Sequence, residues 1–153
     1  MGRRKSAKRE TSAGGVIYRC TPDGPKFLLI KDGYKNWGFP KGHLKPEEGP
    51  EEAAQREVME ETSLTDLTLH EPLGVIDWFF RFRGKLIHKH CHFFLFESPT
   101  GSPTPQAEEG ISACCWYSYP GAVSTISYQN ARGILRQAGV VLSKRCPEYQ
   151  LEP

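Results

Sequence analysis

The sequence has no Cys-x-x-Cys pair, no apolar run approaching the length of a membrane span, no internal repeat and almost no net charge. Each absence removes a class of protein. The five cysteines, Cys20, Cys91, Cys114, Cys115 and Cys146, lack metal-ribbon or dithiol spacing, and an odd number without a signal-peptide pattern reads as reduced thiols in a cytoplasmic protein. Without a long apolar run, no membrane partner is expected. A formal net charge of +2 predicts no stable nucleic-acid partner. Without repeats, 153 residues that are 38% hydrophobic and 25% charged read as one soluble domain with room for a core, as a monomer or homodimer.

What the chain does have is acid concentrated in one place. Seven of its eighteen acidic residues fall within residues 47–61. With Pro50 suited to a first helical position, residues 50–62 read as a helix. At about 100° per residue, Ala53, Ala54, Glu57, Glu60 and Glu61 then lie within a fan of roughly 120°. Like charges three and four apart cost a helix roughly 0.2–0.5 kcal/mol per pair. Glu60 and Glu61 also sit in the last turn, where the helix dipole is already negative. A solvated acidic face is one reading, and Glu51 and Glu52 in the first turn need no other. For the three acids that share the fan, a hard divalent cation, Mg²⁺ or Mn²⁺, is the other reading.

In order, the stretch runs Gly42, five residues, Glu48, seven residues, Arg56-Glu57-Val58, one residue, Glu60-Glu61, one residue, Ser63, Leu64. It resembles the Nudix box, G-x5-E-x7-R-E-U-x-E-E-x-G-U with U a bulky aliphatic residue, at every defined position but one. The departure is Ser63 in place of glycine, just past the helix end where a left-handed residue is common. A serine there costs about 1–2 kcal/mol at most and leaves the carboxylates in place.

The flanking sequence divides into a basic tail at residues 1–10, a domain at residues 11–145 and a C-terminal tail at residues 146–153. The first, with Arg3, Arg4, Lys5, Lys8 and Arg9, is expected to be disordered, and Met1, Gly2 and Ser6 formally match a lipidation pattern that a plain solubilising tail explains more simply. Strands are expected at residues 11–18 and 26–31 as a hairpin, then at 65–73, 75–82, 86–97 and 111–117, with a mobile loop at 98–106 and a second helix at 128–141. On the strand at 86–97, His88, His90 and His92 share a face. Alternate residues are about 6.8 Å apart, so at most two adjacent histidines can hold one ion. That spacing favours cleft-lining or surface histidines, with Arg81, Arg83, Lys85 and Lys89 nearby, over a dedicated zinc site.

The resemblance implies an α/β (α+β) fold, a mixed β-sheet sandwiched between α-helices. It implies a hydrolase of a nucleoside diphosphate linked to another moiety, in which an Mg²⁺- or Mn²⁺-held water attacks phosphorus in line. Glu57, Glu60 and Glu61 would be metal ligands, joined by the Gly42 carbonyl and Glu48, with Arg56 orienting the carboxylates; an ordinary helix salt bridge is the alternative for Arg56. Glu109, ahead of Glu108, is the candidate for an additional metal ligand or base from the loop; a solvated loop acid is the alternative. For the nucleotide substrate, Lys41 is placed to reach phosphate, Tyr34 and Trp37 to stack on a base, and Arg81 and His90 to line the cleft; an exposed loop lysine and aromatic core packing are the alternatives. The context ETSAGG, NWGFPKGH and HFFLF resembles the branch of diadenosine polyphosphate hydrolases and nucleotide pyrophosphatases. Dinucleoside polyphosphate is therefore the first substrate expected, a nucleoside triphosphate or RNA 5′-end the second. A Nudix domain kept only as a nucleotide-binding module is the reading from another class.

Overall fold

The computed structural model describes residues 7–146 and Glu148. The pattern at Met1, Gly2 and Ser6 lies outside the described residues, as does most of the expected C-terminal tail. The first strand, β1 (Lys8–Thr21), starts three residues before the expected strand start at residue 11, because Lys8 to Glu10 continue its ladder opposite Ile87 to Lys89. It turns into β2 (Gly24–Lys31), which returns antiparallel beside it. Two short strands follow, β3 (Trp37–Gly38) on β2 and β4 (Lys41–His43) on β1. Then come helix α1 (Pro50–Thr62), the long hairpin β5 (Thr68–Phe82) and β6 (Lys85–Glu97), a 3-10 turn (Ala107–Glu109), β7 (Ala113–Ser118), α2 (Tyr119–Thr125) and α3 (Gln129–Arg145).

These strands form one mixed sheet of seven in the order β3-β2-β1-β6-β5, with β4 also on β1 and β7 on β2. The pairing of β1 with β6 is parallel and the others are antiparallel. Its central strands are apolar on both faces, as strands covered on both sides must be. Ala13, Ile17, Leu28, Phe94 and Phe96 meet Ala53, Ala54 and Val58 of α1. Val16, Phe27, Leu29, Phe93 and Leu95 meet Ile134, Leu135, Ala138 and Leu142 of α3 and Tyr119 and Ala122 of α2. Helix therefore lies on each face of a mixed sheet, the α+β architecture expected. Among the described residues no helix is long and apolar enough to cross a membrane.

Several expected elements change. Residues 65–73 and 75–82 are not two strands: β5 is continuous, and its extra residues are absorbed as register shifts between Leu69 and Glu71 and between Pro72 and Gly74. The second expected helix runs on to Arg145, past Gly139, which does not end it. The Tyr119 ring lies 2.7 Å from where a Cβ on Gly139 would stand, so this glycine serves helix–helix approach. The loop at 98–106, expected to be mobile, is tied down. Asp66 accepts from Ser98 Oγ at 2.5 Å and from the amides of Thr100 and Gly101 at 2.8 Å each, and Thr104 N donates to Thr62 O at 2.8 Å.

That loop also explains the tolerance of Ser63. The residue is left-handed, at φ 63° and ψ 9°, and its N–H donates to Met59 O. Gln106 Nε2, at the end of the pinned loop, donates to the Ser63 hydroxyl at 2.6 Å. Ser63→Gly removes a left-handed cost of about 1–2 kcal/mol but also an acceptor worth about 0.5–1.5 kcal/mol and a constraint on the unfolded chain. The melting temperature should thus move little in the wild-type chain. In a Gln106→Ala background the same substitution should be more favourable by about 0.5–1.5 kcal/mol. Equal shifts in both backgrounds, measured by thermal or urea melts, would show that the hydroxyl bond contributes nothing.

Candidate active site

Helix α1 begins after Gly49, with Pro50 in its first turn and no side-chain cap, and lays Ala53 and Ala54 flat on the sheet, both fully buried. Their small side chains let the helix approach closely. The two acids that continue the same stripe, Glu57 and Glu61, are carried down with them and are only 9% and 8% exposed. Glu60, one position round the helix, stays exposed.

One guanidinium organises this face. Arg56 donates through Nε and Nη2 to the two oxygens of Glu48, each at 2.8 Å, and through Nη1 to Glu57 Oε1 at 2.7 Å and Glu60 Oε2 at 3.2 Å. Its Nη2 also donates to the carbonyl of His43 at 2.9 Å, which fixes the strand-to-helix loop. Glu48 accepts in addition from Lys45 N at 2.9 Å. The bonds from Arg56, then that amide, hold the Glu48 carboxyl down at about 2. Both of its oxygens are thus engaged by Arg56.

Glu57 and Glu61 behave in the opposite way. Burial raises the Glu57 carboxyl despite its Arg56 partner, and Glu60 and Glu109 add to the rise. Glu61 is pushed up to about 8, first by burial and then by the neighbouring Glu57 charge; the Lys41 amide, which bonds to it, and the Lys41 charge only partly oppose this. Its Oε2 is buried and has no hydrogen-bond partner among the described residues. A buried carboxylate oxygen without a donor costs stability unless something cationic meets it. Gly42 closes the other side: a Cβ there would collide with the Glu57 carboxylate and displace it from its present position. Such crowded hard oxygens suit Mg²⁺ or Mn²⁺. Glu109, exposed on the 3-10 turn, stands close enough for its charge to raise both buried acids.

Glu61 and Lys41 also line a cleft of about 570 Å³ that includes Phe39, Ile76, Trp78, Phe93, Tyr34 and Tyr128. Lys41 Nζ stands 5.9 Å over the Trp78 ring. Towards Tyr34, Asp32 shapes the wall: its Oδ1 accepts from the amides of Tyr34 and Asn36, and its Oδ2 accepts from the Tyr128 hydroxyl at 2.5 Å. Tyr34 is held on that turn at 86% exposure. The cleft therefore joins a buried acid and a lysine to free aromatic surface.

Not every residue named from the sequence reaches it. Trp37 packs edge-on against Tyr117, 5.8 Å between centroids, and is not among the cleft-lining residues. Arg81 is exposed opposite Leu86, and His90 pairs with Asp77, one step out of phase with the cleft-lining Ile76 and Trp78; both point to the other face of the hairpin. Sequence reasoning passed over Asp32 and Tyr128 and named Lys89 only as a neighbour of the histidines; Lys89 lies opposite Trp78 in the register with its Nζ 2.9 Å from His43 Nε2. Burial, then the Lys41 charge, lowers Lys89. Strand alternation was the signal that could have separated Lys89 from the histidines on either side of it.

The comparisons with known proteins agree with this geometry. A bis(5′-nucleosyl)-tetraphosphatase (asymmetrical) of Caenorhabditis elegans is 35% identical over 94 residues, 60% of this chain and 56% of that protein. A Mycobacterium tuberculosis protein bearing the name mutator protein MutT4 is 30% identical over 143 residues, 88% of this chain and 56% of its own length. An RNA pyrophosphohydrolase of Hahella chejuensis is 35% identical over 79 residues, 51% of this chain and 48% of that protein. The chain thus spans about half the length of the sequence relatives it matches. Among solved structures, a C. elegans Ap4A hydrolase binary complex superposes with a TM-score of 0.75 at 28% identity, covering 88% of this chain and 98% of that one. The family model of the NUDIX domain matches residues 8–138, and with the box seated on α1 beneath that match, this chain belongs to the Nudix family.

Proposed function

We propose that the chain is a metal-dependent hydrolase of the pyrophosphate bond in a nucleoside diphosphate linked to another moiety, with a dinucleoside polyphosphate such as diadenosine tetraphosphate as its substrate. One observation carries the reading: Glu61, buried, with an oxygen that has no donor among the described residues, lines the same cleft as Lys41 and the exposed ring of Tyr34. The tetraphosphatase and Ap4A hydrolase likenesses support the choice of substrate.

In this reading Glu57 and Glu61 would hold the ion, joined by Glu60 and the Gly42 backbone. Mg²⁺ or Mn²⁺, when bound, supplies charge to the phosphate oxygens and lowers the pKa of water. Arg56 and Glu48 position the acids: the guanidinium spans three carboxylates and fixes their rotamers. Lys41 and Lys89 offer ammonium charge to the phosphate chain, and Tyr34 and Tyr128 flank the base. Water attacks phosphorus in line, its proton passes to a carboxylate oxygen of Glu60 or Glu109, and the anhydride P–O bond breaks as the second nucleotide leaves. The RNA pyrophosphohydrolase likeness favours a triphosphate end as the second reading, and a substrate panel separates the two.

Purified protein with Mg²⁺ or Mn²⁺ should cleave diadenosine tetraphosphate faster than nucleoside triphosphates or 5′-triphosphorylated RNA, as judged by product masses. Glu61→Gln should lower kcat by at least about two orders of magnitude. No turnover on the whole panel would overturn the enzyme reading in favour of a binding module; a preference for triphosphates would overturn only the substrate.

A second outcome follows from the raised acid. Between the ordinary value of 4.5 and about 8, folded Glu61 keeps a proton that the unfolded chain has released. This contribution to stability is fully present below about pH 4.5 and is lost as pH rises through about 8. The melting temperature of the metal-free protein should therefore fall from about pH 5 to about pH 8, and less steeply in Glu61→Gln. Because the ion competes with that proton, Mg²⁺ should raise the melting temperature more at about pH 8 than at about pH 5. An equal Mg²⁺ effect at both ends of the range would remove Glu61 from the ion's ligands.

A further inference from the structure

The β5–β6 hairpin carries a cluster for which the cleft has no use. Asp77 and His90 stand directly opposite each other in the ladder, and His88 lies two residues along the same face. His88 Nε2 is 2.7 Å from Asp77 Oδ2, the His88 and His90 ring centroids are 4.1 Å apart, and one ligand atom from each of the three residues lies within 4.8 Å of the others. Ile76 and Trp78, which line the cleft, alternate with Asp77 and point the other way.

Spacing along one strand limits the histidines to two ligands for one ion; the neighbouring strand provides the third. Donor atoms around a tetrahedral zinc with bonds of about 2.1 Å are about 3.4 Å apart, so the present separations close on an ion by side-chain rotation alone. The Phe79 ring stacks on His88, 4.0 Å between centroids and 14° between planes, which restricts the imidazole. The Nδ1 of His90 is buried and has no hydrogen-bond partner among the described residues. The Asp77 carboxylate offsets Arg9, which lies opposite His88 in the β1/β6 register.

We propose that Asp77, His88 and His90 form a metal site separate from the α1 acids, which takes a borderline-soft divalent ion, Zn²⁺, through two imidazoles and one carboxylate and leaves a coordination position open to solvent. The donor set makes the distinction: imidazole nitrogen favours zinc, whereas the all-oxygen set of α1 favours Mg²⁺ or Mn²⁺. With Asp77 exposed and the histidines half-buried, the ion has a direct path in from solvent.

The test uses the full chain saturated with Mg²⁺ to occupy the α1 acids, titrated with Zn²⁺ by calorimetry and with Co²⁺ by visible absorption. One equivalent of Zn²⁺ should bind without being displaced by excess Mg²⁺, and Co²⁺ should give ligand-field bands without thiolate charge transfer. Asp77→Asn and His88→Gln should each weaken Zn²⁺ binding at least about tenfold, with far-UV circular dichroism unchanged, while Glu61→Gln leaves it within about twofold. The proposal is overturned if no Zn²⁺ is retained against Mg²⁺, if both hairpin variants bind as the wild type does, or if only Glu61→Gln abolishes binding. None of these results bears on hydrolysis.

Discussion

Two carboxylates are pressed into a protein interior on a helix whose neighbouring acids repel them, and the rest of the structure is arranged around that cost. Glu57 and Glu61 are buried because Ala53 and Ala54 bring α1 against the sheet and the helical period carries the acids down on the same stripe. Arg56 supplies the only guanidinium that contacts the cluster among the described residues, and it spends its donors on Glu48, Glu57, Glu60 and the His43 carbonyl. Glu61 receives none of them. The two acids are held differently: burial and the Glu57 charge push Glu61 up to about 8, whereas Glu57, raised by its own burial, keeps a guanidinium partner in Arg56.

The cleft is built on the opposite logic, from the sheet and α3. Its floor is apolar, Phe39, Ile76 and Phe93, and its polar groups stand at two places, Lys41 with Glu61 and Asp32 with Tyr128. A ligand with anionic and aromatic parts matches that separation better than a small apolar one does. The lysines face the same constraint as the acids, since Lys41 and Lys89 repel each other where Lys89 is partly buried.

Much of this was legible in the sequence where a short-range rule decides the outcome. The helix over 50–62 and the inward direction of Glu57 and Glu61 follow from period and spacing, whereas Glu60 stays exposed, and the box pointed to Arg56, which bonds to Glu48, Glu57 and Glu60. What was not legible depended on which strands become neighbours. His90 was placed near the ligand by its chemistry, but a two-residue period sends it to the other face once β5 and β6 are in register, and Trp37, on β3 beside β2, packs edge-on against Tyr117. Asp77 could not be attached to the histidines without that register. The bulges that merge two expected strands into β5 likewise depend on a partner strand. Helix α2 was missed although its signal is present: Ser118 Oγ accepts from Gly121 N and Pro120 sits in the first turn, a start motif for a helix too short to show periodicity.

The parallel pairing of β1 with β6 has a consequence for how the chain reaches this state. Tyr18 and Glu97 meet across 79 residues of sequence, and this junction is the middle of the sheet. The amino-terminal hairpin has to wait, one flank open, until the later hairpin has emerged and docked. Chains with so distant a central contact fold slowly for their size and expose unpaired backbone meanwhile. In that interval the charged residues at the start of β1, Lys8, Arg9 and Glu10, guard the uncovered edge against pairing with another copy.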